Sequence, residues 1–251
     1  MSVVAHYLWF RKQETVLRCA TADLLIEFKA MDKINLKSIG VLLLLAGAFF
    51  SSCTENEEAW FPVTGRGKVK TETRRPGSFT KVKSQINGNV IIKPGYCETS
   101  VSAQENLLPL LETEVVNGTL YISFGSHVIE TDSTVIVKIS SPEVQELTFS
   151  GSGSVVSNLG IPSINLPGNG DITCIGETEH VSVRLSGTGV INLNEMTSRK
   201  AQVKITGNGN VSLHVTDNLD VTIQGFGVVY YSGTPQIQQN ISGNGKIVEQ
   251  N

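Results

Sequence analysis

The chain is poor in charge, aromatic side chains and cysteine. Charged residues fill 17% of its 251 positions and aromatic ones 6%, and there are four cysteines. With 20 basic against 23 acidic side chains the net charge is −3, which argues against nucleic acid as a partner, because non-specific binding needs Lys and Arg to neutralise phosphates. The cysteines lack zinc-site spacing, and His127, His180 and His214 stand alone without an H-x-x-x-H arrangement, so neither a metal nor a cofactor is implied. No apolar run reaches the roughly 20 residues that a spanning helix needs. The 24 glycines do not follow the every-third-residue period of collagen. At 40% hydrophobic the chain still has ample apolar mass to fold.

The longest apolar run, Ile39 to Phe50, is twelve residues, the length of a signal-peptide core rather than a membrane span. Lys33 and Lys37 precede it, and Ser51, Ser52 and Cys53 follow. The segment from Met31 resembles a bacterial lipoprotein signal of the loose kind found in Bacteroidetes, with Phe50 where the usual motif has Leu. The alternative is a buried core helix. On the lipoprotein reading Cys53 carries the lipid and becomes the new N-terminus, with the membrane as partner through that lipid. The expected organisation is an upstream extension over 1–30, a signal peptide over 31–52, a lipidated tether over 53–78 and a folded β domain over 79–251. Residues 1–30 are either the product of a start codon placed too far upstream or a cytoplasmic helix before a signal anchor. Glu55, Glu57 and Glu58 read equally as a surface-export signal or as a solvated tether. The mature chain is mildly acidic, since residues 1–52 hold six basic side chains and only four acidic ones. Its remaining cysteines, Cys97 and Cys174, are either free buried thiols or a disulfide.

From Phe79 onward, alternating Val, Ile, Thr and Phe are separated by Gly, Asn, Pro and Ser, and only Asn106 to Glu112 hints at a helix. The second half repeats. Gly-x-Gly begins at Gly151, Gly168, Gly187, Gly207, Gly225 and Gly243, at intervals of 17, 19, 20, 18 and 18 residues. That period suits one coil of a β-solenoid. Two residues before each first glycine stand Phe149, Leu166, Leu185, Ile205, Ile223 and Ile241; four after it stand Val155, Ile172, Ile191, Val211, Val229 and Ile247. Because strand side chains alternate faces, these even positions share an inward face, and the glycines lie on it too. The odd positions read as an outer surface, with Ser152, Asn169, Thr188, Asn208 and Asn244 forming a polar ladder that Phe226 interrupts. Residues 86–92 and 115–124 look like degenerate early coils.

The strings SGSGSV, PGNGDI, SGTGVI and SGNGKI, following FTKVKSQINGNVIIKPG behind a lipoprotein signal, resemble the head GIN domain family of autotransporter-adhesin heads. The resemblance covers about residues 78–251. It implies an all-β fold, a right-handed single-stranded parallel β-helix with coils of about 18–20 residues, in the cell envelope or outer membrane and without established catalytic residues.

Some parallel β-helices cut polysaccharides with carboxylates clustered on neighbouring coils. Here Asp171 is alone in its slot, and Glu177, Glu179, Glu195, Asp217 and Asp220 fall in turns. Every Gly-x-Gly leads into a Val/Ile strand rather than a helix, so the glycines do not form a nucleotide loop. The patch that departs from the repeat is Phe226, Val228 and Tyr230, outward apolar residues where other coils are mostly polar. It reads as a binding surface or as a face covered by another segment or subunit. The leading reading is a non-enzymatic envelope lipoprotein that presents a binding or adhesion surface to a glycan, a surface protein or a second copy. The alternatives are a polysaccharide lyase or hydrolase and a purely structural envelope component. The lipid site is directly testable: Cys53→Ala should leave the precursor unprocessed and release the protein from the membrane fraction, as read by globomycin-sensitive mobility and fractionation.

Overall fold

The runs in which Val, Ile and Leu alternate with polar residues become strands whose burial alternates with the same period. In the computed structural model, which describes residues 62–250, they are β1 (Val63–Thr64), β2 (Val69–Arg74), β3 (Lys81–Ser84), β4 (Gly88–Pro94), β5 (Glu98–Gln104), β6 (Glu112–Val116), β7 (Thr119–Ser123), β8 (Ile129–Glu130) and β9 (Val135–Ser141). There follow β10 (Glu146–Phe149), β11 (Gly153–Ser157), β12 (Ser163–Leu166), β13 (Asp171–Cys174), β14 (Gly176–Leu185), β15 (Val190–Ile205), β16 (Asn210–Ile223), β17 (Val228–Ser232), β18 (Gln236–Ile241) and β19 (Lys246–Glu249). The signal segment, Cys53 and the acidic run lie outside the described residues.

From β10 onward, each row pairs in parallel with the equivalent row of the next repeat. Leu147 lies beside Ile164, Ile164 beside Val183, Val183 beside Val203, Val203 beside Val221 and Val221 beside Gln239. On the other side of the glycine corners, Val155, Ile172, Ile191, Val211, Val229 and Ile247 align in the same way. Every member of these columns up to Val229 is buried, while Ile247 in the last row is half-buried and Gln239 is exposed. The in/out assignment made from the glycine positions therefore holds through the rows that have neighbours on both sides. Stacked identical side chain types fill the interior as one continuous apolar cluster.

The glycines are required by contact between backbones. A Cβ on Gly187 would overlap the carbonyl oxygen of Gly168, one on Gly207 that of Gly187, and one on Gly225 that of Gly207. The second glycines repeat the pattern, with Gly189 set against the Gly170 carbonyl and Gly209 against that of Gly189. Each corner thus rests on the corner before it, and a backbone atom cannot swing aside as a flexible side chain could.

The expectation of a single-stranded parallel β-helix running through 79–251 is corrected. Seventeen strands form one sheet of mixed direction. β2 runs antiparallel to β5, β5 to β9, and β6 to β7. Nor do the early rows stack in chain order: β3 lies between β7 and β10, and β4 between β9 and β11. The physical reason is local. Stacked Gly-x-Gly corners are absent before Gly151, and Asn117 and Gly118 both adopt positive φ, 50° and 72°. Two such residues make the tight hairpin turn that matches strand twist, so the chain doubles back instead of advancing a row.

The stretch expected as tether contributes β1 and β2. The Asn106 side chain holds this segment, its Oδ1 accepting from the Arg66 N–H at 2.6 Å and its Nδ2 donating to the Thr64 carbonyl at 2.9 Å. The helix hinted at over 106–112 is a 3-10 turn, Leu108–Leu110, and Leu107, Leu108 and Leu111 are buried under it. Arg74 donates to the carbonyl oxygens of Leu108, at 2.8 Å, and Leu111. These contacts cover one end of the sheet.

Two substitutions separate the interior from the surface. Ile205→Ala should cost about 2–5 kcal/mol through lost transfer energy and a cavity, whereas Lys204→Ala should stay within about 0.5 kcal/mol. Gly207→Ala, adding a single carbon, should cost about 1–3 kcal/mol by overpacking. Urea titration of the three variants checks the order.

Candidate binding surface

Phe226 stands between Gly225 and Gly227 at the outer side of a corner, and its N–H donates to the Gly207 carbonyl at 3.2 Å. Neither neighbour has a side chain to lean against it, and it is 65% exposed. Val228 and Tyr230 follow on β17, outward and half-buried, and Val248 of β19 lies beside Tyr230. Asn210 fixes the strand edge, its Oδ1 accepting the Val228 N–H at 3.1 Å. Among the described residues, no segment of the chain covers Phe226, so an intramolecular cover by residues 62–250 is excluded. Phe226, Val228, Tyr230 and Val248 together form an outward apolar strip flanked by the polar ladder.

Part of that ladder is bonded to neighbouring rows. Thr188 Oγ1 donates to Asn169 Oδ1 at 3.0 Å, and the Ser152 N–H donates to Asn87 Oδ1 at 3.1 Å. Asp171, the one carboxylate in its slot, accepts the Val190 N–H at 3.1 Å. Its role is to pin the next strand. Glu177, Glu179, Glu195, Asp217 and Asp220, expected in turns, lie on strands β14 to β16, and Arg199 of β15 spans the two neighbouring rows, donating to Glu179 at 3.0 Å and to Asp217 at 2.7 Å. Hydrogen bonds from Thr216 and then Arg199 hold the Asp217 carboxyl below the usual carboxylate range. The bond and charge of Asp217, with the charge of Glu179, raise the Arg199 guanidinium above its ordinary value. This surface ion triplet ties three adjacent strands together. Among the described residues, no three His, Cys, Asp or Glu side chains are grouped as a metal site.

A cleft of about 330 Å³ that the sequence did not reveal lies beside β8, lined by Gln85, Asn87, Phe124, His127, Val128 and Thr131 among others. It opens into a shallower groove that adds Glu130, Asp132, Ser133 and Ser152. These residues come from strand β8 and four separate connections, so no spacing announces them. His127 and His180 are exposed, whereas His214 is half-buried with Nδ1 2.9 Å from Ser232 Oγ. Cys97 and Cys174 are both free thiols, Cys97 half-buried and Cys174 buried.

The profile of the family "Putative auto-transporter adhesin, head GIN domain" matches residues 78–163 and 162–235. The chain belongs to this family. No curated protein matches it. Among solved structures, this head GIN chain is similar to a putative adhesin from Bacteroides fragilis, at 21% identity and a TM-score of 0.56, over 75% of this chain and 100% of that one. It is also similar to a protein from Parabacteroides distasonis described as a putative lipid binding protein, at 22% identity and a TM-score of 0.50, over 76% of this chain and 100% of that one. At such identities the likeness shows a shared fold.

The thiols give a check on packing of the interior. Burial pushes the Cys174 thiol up to about 12, so it is neutral and enclosed at any ordinary pH. Titration of the folded protein with a thiol-specific disulfide reagent at pH 8 should therefore modify Cys97 and spare Cys174. Both should react once the chain is unfolded in guanidinium.

Proposed function

We propose that this head GIN domain is a non-enzymatic binding module of the bacterial cell envelope, carried on a lipid at Cys53 and displaying an adhesion surface centred on Phe226, Val228 and Tyr230. The observation that carries the reading is the exposed aromatic at an outward slot where the preceding repeats place Ser, Asn or Thr. Strand formation does not require it, and an uncovered apolar strip rimmed by amide and hydroxyl groups is the usual composition of a recognition surface. The family description as an adhesin head supports the same class. The carboxylates give no support to hydrolysis, since Asp171 caps a strand edge and Glu179 and Asp217 flank Arg199. The resemblance of residues 31–53 to a lipoprotein signal supports an outer-membrane location.

The domain's ligand class is a surface glycan or envelope protein, and the strip makes the contact. Replacing Phe226 and Tyr230 together by Ser should change folding stability by no more than about 1 kcal/mol, as surface changes usually do, while reducing binding to glycan arrays and to whole cells to background. Retained binding by a folded double variant would reject the strip as the site.

A further inference from the structure

The two ends of the sheet are finished differently. One carries the buried leucine turn and the antiparallel strands β2, β5 and β6. At the other end the last row is open: β18 pairs with β16 and β19 with β17, and no described strand pairs with their far edges. All six residues of β18 are exposed, including Ile237 at 39% and Ile241 at 37%. Natural edges of this kind are usually blunted by charge, a bulge or proline within the strand. β18 has none of these.

Two inward columns also end in polar residues in this row. The column Val183, Val203, Val221 ends in Gln239, and the column Leu193, Leu213, Tyr231 ends in Glu249. Two exposed polar residues thus continue inward columns in the row whose far edge no described strand pairs. Gln239 lies five residues before Asn244, and Glu249 five after it. Ile241 and Ile247 lie three before and three after it. The last row is therefore palindromic in chemistry about its Gly243-Asn244-Gly245 corner.

We propose that a second copy of this chain closes this edge, related by a two-fold axis through Asn244. Reflection of the corner onto itself runs β18 antiparallel to β19 of the partner copy, and β19 antiparallel to the other β18, so both open strands are paired at once. Such an isologous contact is the commonest route to a symmetric dimer. The register sets Ile241 against Ile247 of the other copy, which continues the apolar column. It sets the Gln239 amide against the Glu249 carboxylate, a charge-assisted hydrogen bond that rewards the polar residues. Gly243 and Gly245 then rest on their symmetry mates, as the earlier corners rest on one another. This inference is independent of the adhesive role.

Cross-linking tests it in cells carrying the full chain. In a Cys97→Ala background, Asn244→Cys should give a band of twice the monomer mass under mild oxidation, because the two positions stack at about 5 Å, the spacing of neighbouring strands. Asn208→Cys, the same corner position in an enclosed row, should remain monomeric. Equal behaviour of the two variants overturns the proposal, and a cross-linked band of any other mass assigns the edge to a different protein and rejects the second copy. In sedimentation equilibrium of the purified protein, Gln239→Glu should weaken the dimer about tenfold by placing like charges together, and Gln239→Glu combined with Glu249→Lys should restore it. A monomer at all concentrations, or a double variant as weak as the single one, would refute the arrangement.

Discussion

The contact of one glycine carbonyl with the next glycine Cα is the constraint on which the regular part of this protein depends. Hydrogen bonds between parallel strands tolerate a slip of register, since the bonds re-form two residues along and leave the same face inward. The corners do not. A row shifted by one repeat unit of the ladder would drive a residue with a Cβ into the carbonyl of the row before, so the Gly-x-Gly positions fix the register of the strands on both sides of them. Once register is fixed, like side chains stack on like: Leu185 on Ile205 on Ile223 inside, Asn169 on Thr188 outside.

The same constraint explains where regularity stops. Among the described residues before Gly151, the only corner glycine set against a neighbouring row's carbonyl is Gly88, against that of Val135. The chain there is free to reverse, and it does so at Asn117-Gly118. The reversal has a use. A stack of parallel rows has two raw ends, and repeat folds need a differently built terminal unit to cover them. Here the antiparallel strands, the buried Leu107, Leu108 and Leu111 and the Arg74 bridge to their carbonyls supply that unit at one end.

Legibility in the sequence followed this division. The inward columns from Phe149 to Val229 could be read because a period of two and a fixed glycine leave a single consistent assignment, and burial follows it residue by residue. The uniform helix extended over the N-terminal rows was an over-extension of that pattern. The Asn-Gly pair between VV and TLYI carries the hairpin signal, but a glycine between two apolar runs also fits the repeat, and the two patterns coincide there. Rows 38 and 65 residues apart, such as Val82 beside Leu120 and beside Leu147, have no periodic trace at all. The outward strip was legible because a polar column makes a single Phe conspicuous. The cleft beside β8 was not, since Asn87, Thr131 and Ser152 meet only through the out-of-order stacking.

Rigidity connects this architecture to recognition. Outer polar side chains bond to neighbouring rows at several places, Asn169 with Thr188 in the ladder and Asn210 beside it with the Val228 N–H. Side chains already held in one rotamer lose little entropy on binding, and that preorganisation contributes as much to affinity as added contact area. Catalysis by paired carboxylates demands the opposite condition, at least one group with an unengaged proton site facing a groove. Asp171 and Asp217 are engaged, and the shift of Asp217 below its ordinary range keeps it ionised and bound to Thr216 and Arg199. A surface that holds Asn169, Thr188 and Asp171 in hydrogen bonds and leaves an apolar strip uncovered is suited to hold a partner by contact, and Phe226, set between two glycines whose backbones rest on the row before, is the most exposed residue of that strip.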